Sequence, residues 1–317
     1  MNLPKIALIG SGNIGGTLAH LILQRNLGEV VLIDVAEGIP QGKALDLAQA
    51  LSAEHKHYVV SGSQDYNCIK DADVVIVTAG IARKPGMSRD DLLSVNAKII
   101  CIAAENIRKY APTSFVVVVT NPLDAMVWLM QKATAFKPNM VVGMAGVLDS
   151  GRFKCFLSEA LNVSVQDIQT FVLGGHGDSM VPMPRYTTIS GIPLSYFVEN
   201  GWLSKDTLDA IINRTRNAGA EIVNLLKTGS AFYSPATSVL QMVESYLFDQ
   251  RRILPCAAHL GGEYGVKDLY VGVPAIIGKN GVEKVLEIPL NTEEKKQLQQ
   301  SVESVRSLTQ ACTDLGL

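Results

Sequence analysis

The first half of the chain repeats one pattern. A short run of mostly β-branched apolar residues is followed by a turn, then by a longer stretch with its apolar positions on one helical face. The apolar runs are KIALIG (5–10), EVVLIDV (29–35), HYVVSG (57–62), DVVIVTAG (73–80), SFVVVVTNP (114–122) and MVVGMAG (140–146). Helical spacing occupies residues 15–26, 41–53, roughly 88–109 and 123–134. Strands that are apolar on both faces belong in a parallel sheet covered by helices above and below. Six of them in two halves predict a doubly wound α/β sheet.

After about residue 147 the strict alternation stops. Helices are predicted at 148–160, about 205–227, about 233–247 and near 292–314, with strand-like pieces around 254–260, 268–277 and 284–288. This is an α+β pattern. The expected division is a nucleotide-binding domain over 1–146 and a substrate-binding, catalytic domain over 147–317, packed with a crevice between them.

Composition narrows the function. Of 317 residues, 47% are apolar and only 18% charged, enough apolar material for a substantial core. The formal net charge is −2, which argues against nucleic acid or an anionic membrane as a bulk partner. No apolar run reaches the length of a membrane span, and MNLPKIALIG leads straight into a strand instead of a signal sequence. Cys68, Cys101, Cys155, Cys256 and Cys312 are scattered, without a CxxC pair. They read as reduced thiols in a cytoplasmic setting, with no disulfide framework and no metal site.

One motif stands at the end of the first apolar run. KIALIGSGNIGG contains Gly10-x-Gly12-x-x-Gly15, and Asp34 ends the next run. Such a spacing is weak in a chain with 27 glycines, but here it follows a strand and opens a helix. Gly10 permits the tight turn, Gly12 lets backbone approach a pyrophosphate, and Gly15 lets helix and strand pack closely. The helix N-terminus, with Ser11, Asn13 and Ile14 around it, offers N–H groups to the phosphates. Asp34 would accept hydrogen bonds from ribose hydroxyls and repel a 2′-phosphate, favouring NAD over NADP. The bland alternative is a structural turn beside a solvated carboxylate.

A second group carries candidate chemistry. GGHGDS places His176 among glycines, and His259, before two glycines, is its nearest rival. Asp149 and Arg152 stand at i and i+3 in VLDSGRF, on one helical face. A carboxylate beside an imidazole fixes its tautomer and stabilises the charged ring. An arginine beside both offers a two-pronged donor to a carboxylate ligand. Spacing alone leaves an exposed salt bridge equally open. Asn121 closes the run VVVVTNP, at the strand end where ligands bind in such sheets, or is simply a turn residue before Pro122.

Taken together, GSGNIGG, TAGIARKPGMSRDDLL, VVTNPLDAM, VLDSGRF and GGHGDSMVP resemble the lactate/malate dehydrogenase family, in that family's order and along essentially the whole chain. The match is closest to the lactate-dehydrogenase-like branch of malate dehydrogenases. The resemblance implies a Rossmann NAD-binding domain, an NAD cofactor, a malate/oxaloacetate substrate and a homo-oligomer, with a tetramer favoured over a dimer. It implies that His176 donates and accepts the proton and that Asp149 is its carboxylate partner. It implies that Arg152 clamps the substrate's C1 carboxylate, Arg89 polarises the reacting carbonyl and Asn121 orients the substrate. Val119, Asn121 and Asn96 would lie along the cofactor, with Asn96 near the nicotinamide side. Arg83 falls where the family sorts its substrates, Gln being usual in lactate dehydrogenases and Arg in malate dehydrogenases. Arg83 and Arg89 would then ride on a closing lid. Ala82 departs from the proline common there, and Lys84 reads as a solvated charge. The nearest rival is an L-lactate or other 2-hydroxy-acid dehydrogenase on the same scaffold, against which Arg83 argues. A non-catalytic NAD-binding protein and a metal-assisted, NAD-dependent glycosidase, with Cys155 and His176 the only ligand pair worth asking about, are distant ones.

Overall fold

The computed structural model describes residues 3–81 and 89–316, with Arg89 described for its backbone alone. Its first half alternates as the hydrophobic pattern requires. Strand β1 (Lys5–Ile9) leads into helix α1 (Asn13–Gln24), β2 (Glu29–Ile33) into α2 (Ile39–Ala53), then come β3 (Val60–Ser63) and β4 (Val74–Val77). Helix α3 (Arg89–Tyr110), β5 (Phe115–Val118), α4 (Leu123–Thr134) and β6 (Val141–Gly143) complete the unit. The parallel order β3-β2-β1-β4-β5-β6 reverses direction between β1 and β4, and that reversal opens a crevice at the strands' carboxyl ends.

Every residue of β4 and β5 is buried. Alternate side chains of each strand feed two cores, one on each face of the sheet. Each buried Val, Ile or Phe contributes about 1.5–3 kcal/mol, which is why these runs carry no polar alternation. β3 is shorter than the 57–62 expected and only half-buried, because it is the edge strand and pairs with β2 alone.

The second half opens with α5 (Gly146–Leu161). Short strands follow: β7 (Ile168–Gln169), β8 (Val172–Leu173), β9 (Val181–Pro182), β10 (Thr188–Ile189) and β11 (Ile192–Pro193). Then come α6 (Leu194–Glu199), α7 (Lys205–Leu226), α8 (Tyr233–Leu247), β12 (Arg252–Gly261), β13 (Lys267–Gly278), β14 (Gly281–Val285) and α9 (Thr292–Asp314). Helix α9 starts with a capping box, the Asn291 side chain accepting from Glu294 N–H while Glu294 reaches back to Asn291.

The sheet does not end at β6, a point the sequence pattern left open, and one expectation needs correction. β12 pairs antiparallel with β6 through Ala257 and Gly143, so one nine-stranded sheet runs β14-β13-β12-β6-β5-β4-β1-β2-β3. Without β12, β6 would be a bare edge with unpaired backbone groups. The final strand begins three residues earlier than expected, at Gly281. Lys279-Asn280 is the hairpin turn, and Gly281, the first residue of β14, follows at φ 82°, where only glycine sits without strain.

Candidate active site

The glycine-rich loop crosses the crevice between β1 and α1. Gly10 has φ 103°, and a Cβ there would lie 2.5 Å from Ala79 N. A Cβ on Gly15 would meet Gly10 O at 2.0 Å, so close packing of loop and helix excludes any side chain. A Cβ on Gly12 would meet nothing within 4 Å. Its space is open, and Gly12 caps α1 with no side-chain bond. The first amides of a helix have no acceptor within it. Those after Gly12, on Asn13 and Ile14, thus remain donors for an anion, with the helix dipole behind them. Asp34, half-buried beyond β2, accepts from Ser11 N–H at 2.7 Å and Ala36 N–H at 3.1 Å. One bond to each oxygen fixes the carboxylate and leaves each a further lone pair for ribose hydroxyls. The donor set suits a dinucleotide pyrophosphate and its ribose. Lys43, on α2, was silent in the sequence; its Nζ lies 2.8 Å from Gly12 O, over the same loop.

Residues far apart in sequence meet on the other side of the crevice. Asp149 lies in the first turn of α5, and its side chain is 2% exposed. Its Oδ1 accepts from Arg152 Nη1 at 3.1 Å, and its Oδ2 lies 2.9 Å from His176 Nδ1. The i,i+3 pair that could have been a surface salt bridge is therefore an internal one. A charged acceptor on Nδ1 makes that nitrogen the N–H and leaves Nε2 as the working nitrogen. Burial, the largest influence on the ring, resists its charging, but Asp149 and then Asp124 outweigh it, so His176 holds its proton above the ordinary 6.5. Arg152 keeps Nε buried with no partner among the described residues, a donor awaiting an acceptor. His259 is elsewhere, on β12, with Nε2 3.7 Å from Asp268 and its ring edge-on to Tyr270. Cys155 is exposed and faces Glu159, not His176.

Asp124 is the residue the sequence reading missed. It sits in the first turn of α4, fully buried, and its Oδ2 accepts the His176 backbone N–H at 2.8 Å. Burial pushes its carboxyl up to about 7, against the pull of His176. In the sequence it looked like an ordinary acid favouring a helix N-terminus. Only the fold brings 52 residues' separation down to one hydrogen bond.

Known proteins resemble this chain along nearly its whole length. Residues 4–143 match the lactate/malate dehydrogenase NAD-binding domain, and residues 146–314 match the alpha/beta C-terminal domain of the same family. This chain belongs to the lactate/malate dehydrogenase family. Among solved structures, malate dehydrogenase from Cryptosporidium parvum is 48% identical with a TM-score of 0.96, over 98% of this chain and 99% of that one. Lactate dehydrogenase from Eimeria maxima, solved with NADH and oxamate, is 46% identical with a TM-score of 0.97, over 100% and 96%. Lactate dehydrogenase from C. parvum, solved with lactic acid and nicotinamide adenine dinucleotide, is 44% identical with a TM-score of 0.96, over 99% of each chain.

In this lactate/malate dehydrogenase family member, the carboxyl ends of β4 and β5 are tied together by Asn96. It is wholly buried on α3. Its Oδ1 accepts from Ile81 N–H at 2.8 Å, and its Nδ2 donates to Ile81 O at 3.1 Å and Asn121 O at 2.7 Å. The amide is thus fully engaged with backbone, a clasp beside the crevice. Asn121 is exposed at the end of β5, leaving its side chain free to reach a ligand, while Val119 N–H is held by Val77 O at 2.9 Å. Ala82, Arg83 and Lys84 lie outside the described residues. Arg89 opens α3, and its side chain also lies outside them.

Proposed function

We propose that the protein is an NAD-dependent malate dehydrogenase, interconverting (S)-malate and oxaloacetate. The carrying observation is Asp149, one buried carboxylate bound at once to His176 and Arg152. That contact puts an acid/base beside a carboxylate clamp, which a 2-hydroxy acid needs on neighbouring carbons. In oxidation His176 Nε2 takes the C2 hydroxyl proton, and Asp149 stabilises the imidazolium. Arg152 turns its free donors to the C1 carboxylate. In reduction the charged ring returns the proton to the carbonyl oxygen, whose developing negative charge the cation of Arg89, in the role the resemblance implies, would offset. NAD bound along the Gly10–Gly15 loop supplies the hydride acceptor.

Arg83 supports the choice of malate. A permanent cation sealed in with the substrate pairs with a second carboxylate, which malate has and lactate lacks. The comparisons include both malate and lactate dehydrogenases at similar identity, so the substrate is decided by an assay. Initial rates of NADH oxidation are measured with oxaloacetate, pyruvate and 2-oxoglutarate. Oxaloacetate is expected to give the highest kcat/KM. A preference for pyruvate would make this a lactate dehydrogenase, and no turnover with any of the three would end the dehydrogenase reading.

A further inference from the structure

We propose that Asp124 is a positioning residue for the reaction, acting on His176 through its backbone N–H and through its charge. The inference rests on the 2-hydroxy-acid dehydrogenase reading above. Three observations carry it. Asp124 Oδ2 accepts the His176 N–H at 2.8 Å. Asp124 Oδ1 is buried with no hydrogen-bond partner among the described residues. Gly175, just before the histidine, leaves the room this approach needs, since a Cβ there would lie 3.2 Å from Asp124 Oδ2 and 2.8 Å from Val305 Cγ2.

Holding one N–H needs only a neutral acceptor. A buried carboxylate with an unsatisfied oxygen is a costly way to do that alone. What a carboxylate adds is charge, and the imidazole of His176 is within its reach. Among the described residues, the charged groups facing the ring are Asp149 and Arg152 from α5 and Asp124 from α4. Arg152 opposes protonation and both carboxylates favour it. Facing Asp124 itself are His176 and Asp149. From helix α9, Ser301 accepts from Gly175 N–H and Val305 packs beside Gly175. Arg216 of α7 is engaged with Met180 O, and Asp178 is exposed. With burial holding its carboxyl near 7, Asp124 gains or loses charge over the same range in which His176 works. Asp124 and the ring therefore titrate as a coupled pair, with Asp149 fixing the ring and Asp124 fixing the backbone that carries it.

The test compares wild type with Asp124→Asn, which keeps an acceptor oxygen and removes the charge. The readouts are NADH affinity and the pH profile of kcat/KM for reduction of the best 2-oxo acid. NADH affinity is expected to stay within roughly twofold. The inflection assigned to His176 is expected to move toward acid by about one pH unit. An unmoved inflection in an active, folded variant overturns the proposal, because a purely structural acceptor would behave that way. Should Asp124→Asn not fold, the wild-type holoenzyme decides. The His176 ring resonances followed against pH are expected to show two inflections, and a single one overturns the proposal. Wild type without activity on any 2-oxo acid would instead refute the dehydrogenase reading, and the resonance titration would still test the coupling.

Discussion

Asp149 Oδ2 lies 2.9 Å from His176 Nδ1, although 27 residues separate them in the chain. The same carboxylate holds Arg152, so proton transfer and substrate binding share one anchor. Asp149→Asn keeps the shape and removes the charge. The ring loses its main reason to be protonated, and Arg152 is left buried without its counter-ion. We expect kcat/KM for 2-oxo-acid reduction to fall about 100- to 10,000-fold, with the acid-to-base inflection displaced to lower pH. A variant with a wild-type profile would show that Asp149 does not tune His176.

Arg83 sets a different expectation. Arg83→Gln removes the cation assigned to the substrate's distal carboxylate. The loss on oxaloacetate should be about 2–5 kcal/mol, or about one and a half to three and a half decades in kcat/KM, with pyruvate affected much less. Equal loss on both substrates, read from steady-state rates, would remove Arg83 as the selector.

Asn96 predicts a loss of another kind. Asn96→Ala leaves Ile81 N–H, Ile81 O and Asn121 O without their buried partner. Stability should drop by about 2–4 kcal/mol, and the KM for the oxo acid should rise because Asn121 is no longer held. Thermal unfolding and steady-state kinetics check this together, and unchanged Tm with unchanged KM would contradict the clasp.

Stability should also depend on pH in a stated direction. His176 and Asp124 both bind their protons more tightly when folded than when unfolded. Their contribution is therefore complete only below the ordinary values of 6.5 and 3.8, and it is lost as pH rises through the folded ones. For Asp124 that loss runs from about 3.8 to beyond about 7. Thermal melts across this range should show Tm falling as the solution becomes more basic, and Asp124→Asn should flatten that fall. A slope identical in wild type and variant would mean that Asp124 does not titrate there.

Much of this was legible without coordinates. The all-apolar runs of β4 and β5, and of β1 after Lys5, announce a covered parallel sheet, since no polar face is left for water. Gly10, Gly12 and Gly15 announce the loop, because their requirement is local and steric. His176, Asp149 and Arg152 were nameable as candidates, but the salt bridge could equally have been exposed.

The chain's own order of residues determined its periodicities, its turns and the chemical types available, all properties of a few neighbouring positions. Only the tertiary structure decided that β12 covers the edge of β6, that Asn96 joins Ile81 to Asn121, and that Asp124 receives the amide of His176. Those pairings span long stretches of chain, and a buried hydrogen bond between distant residues leaves no periodic trace. Its energy depends on burial and geometry, which exist only once the helices and sheet have packed.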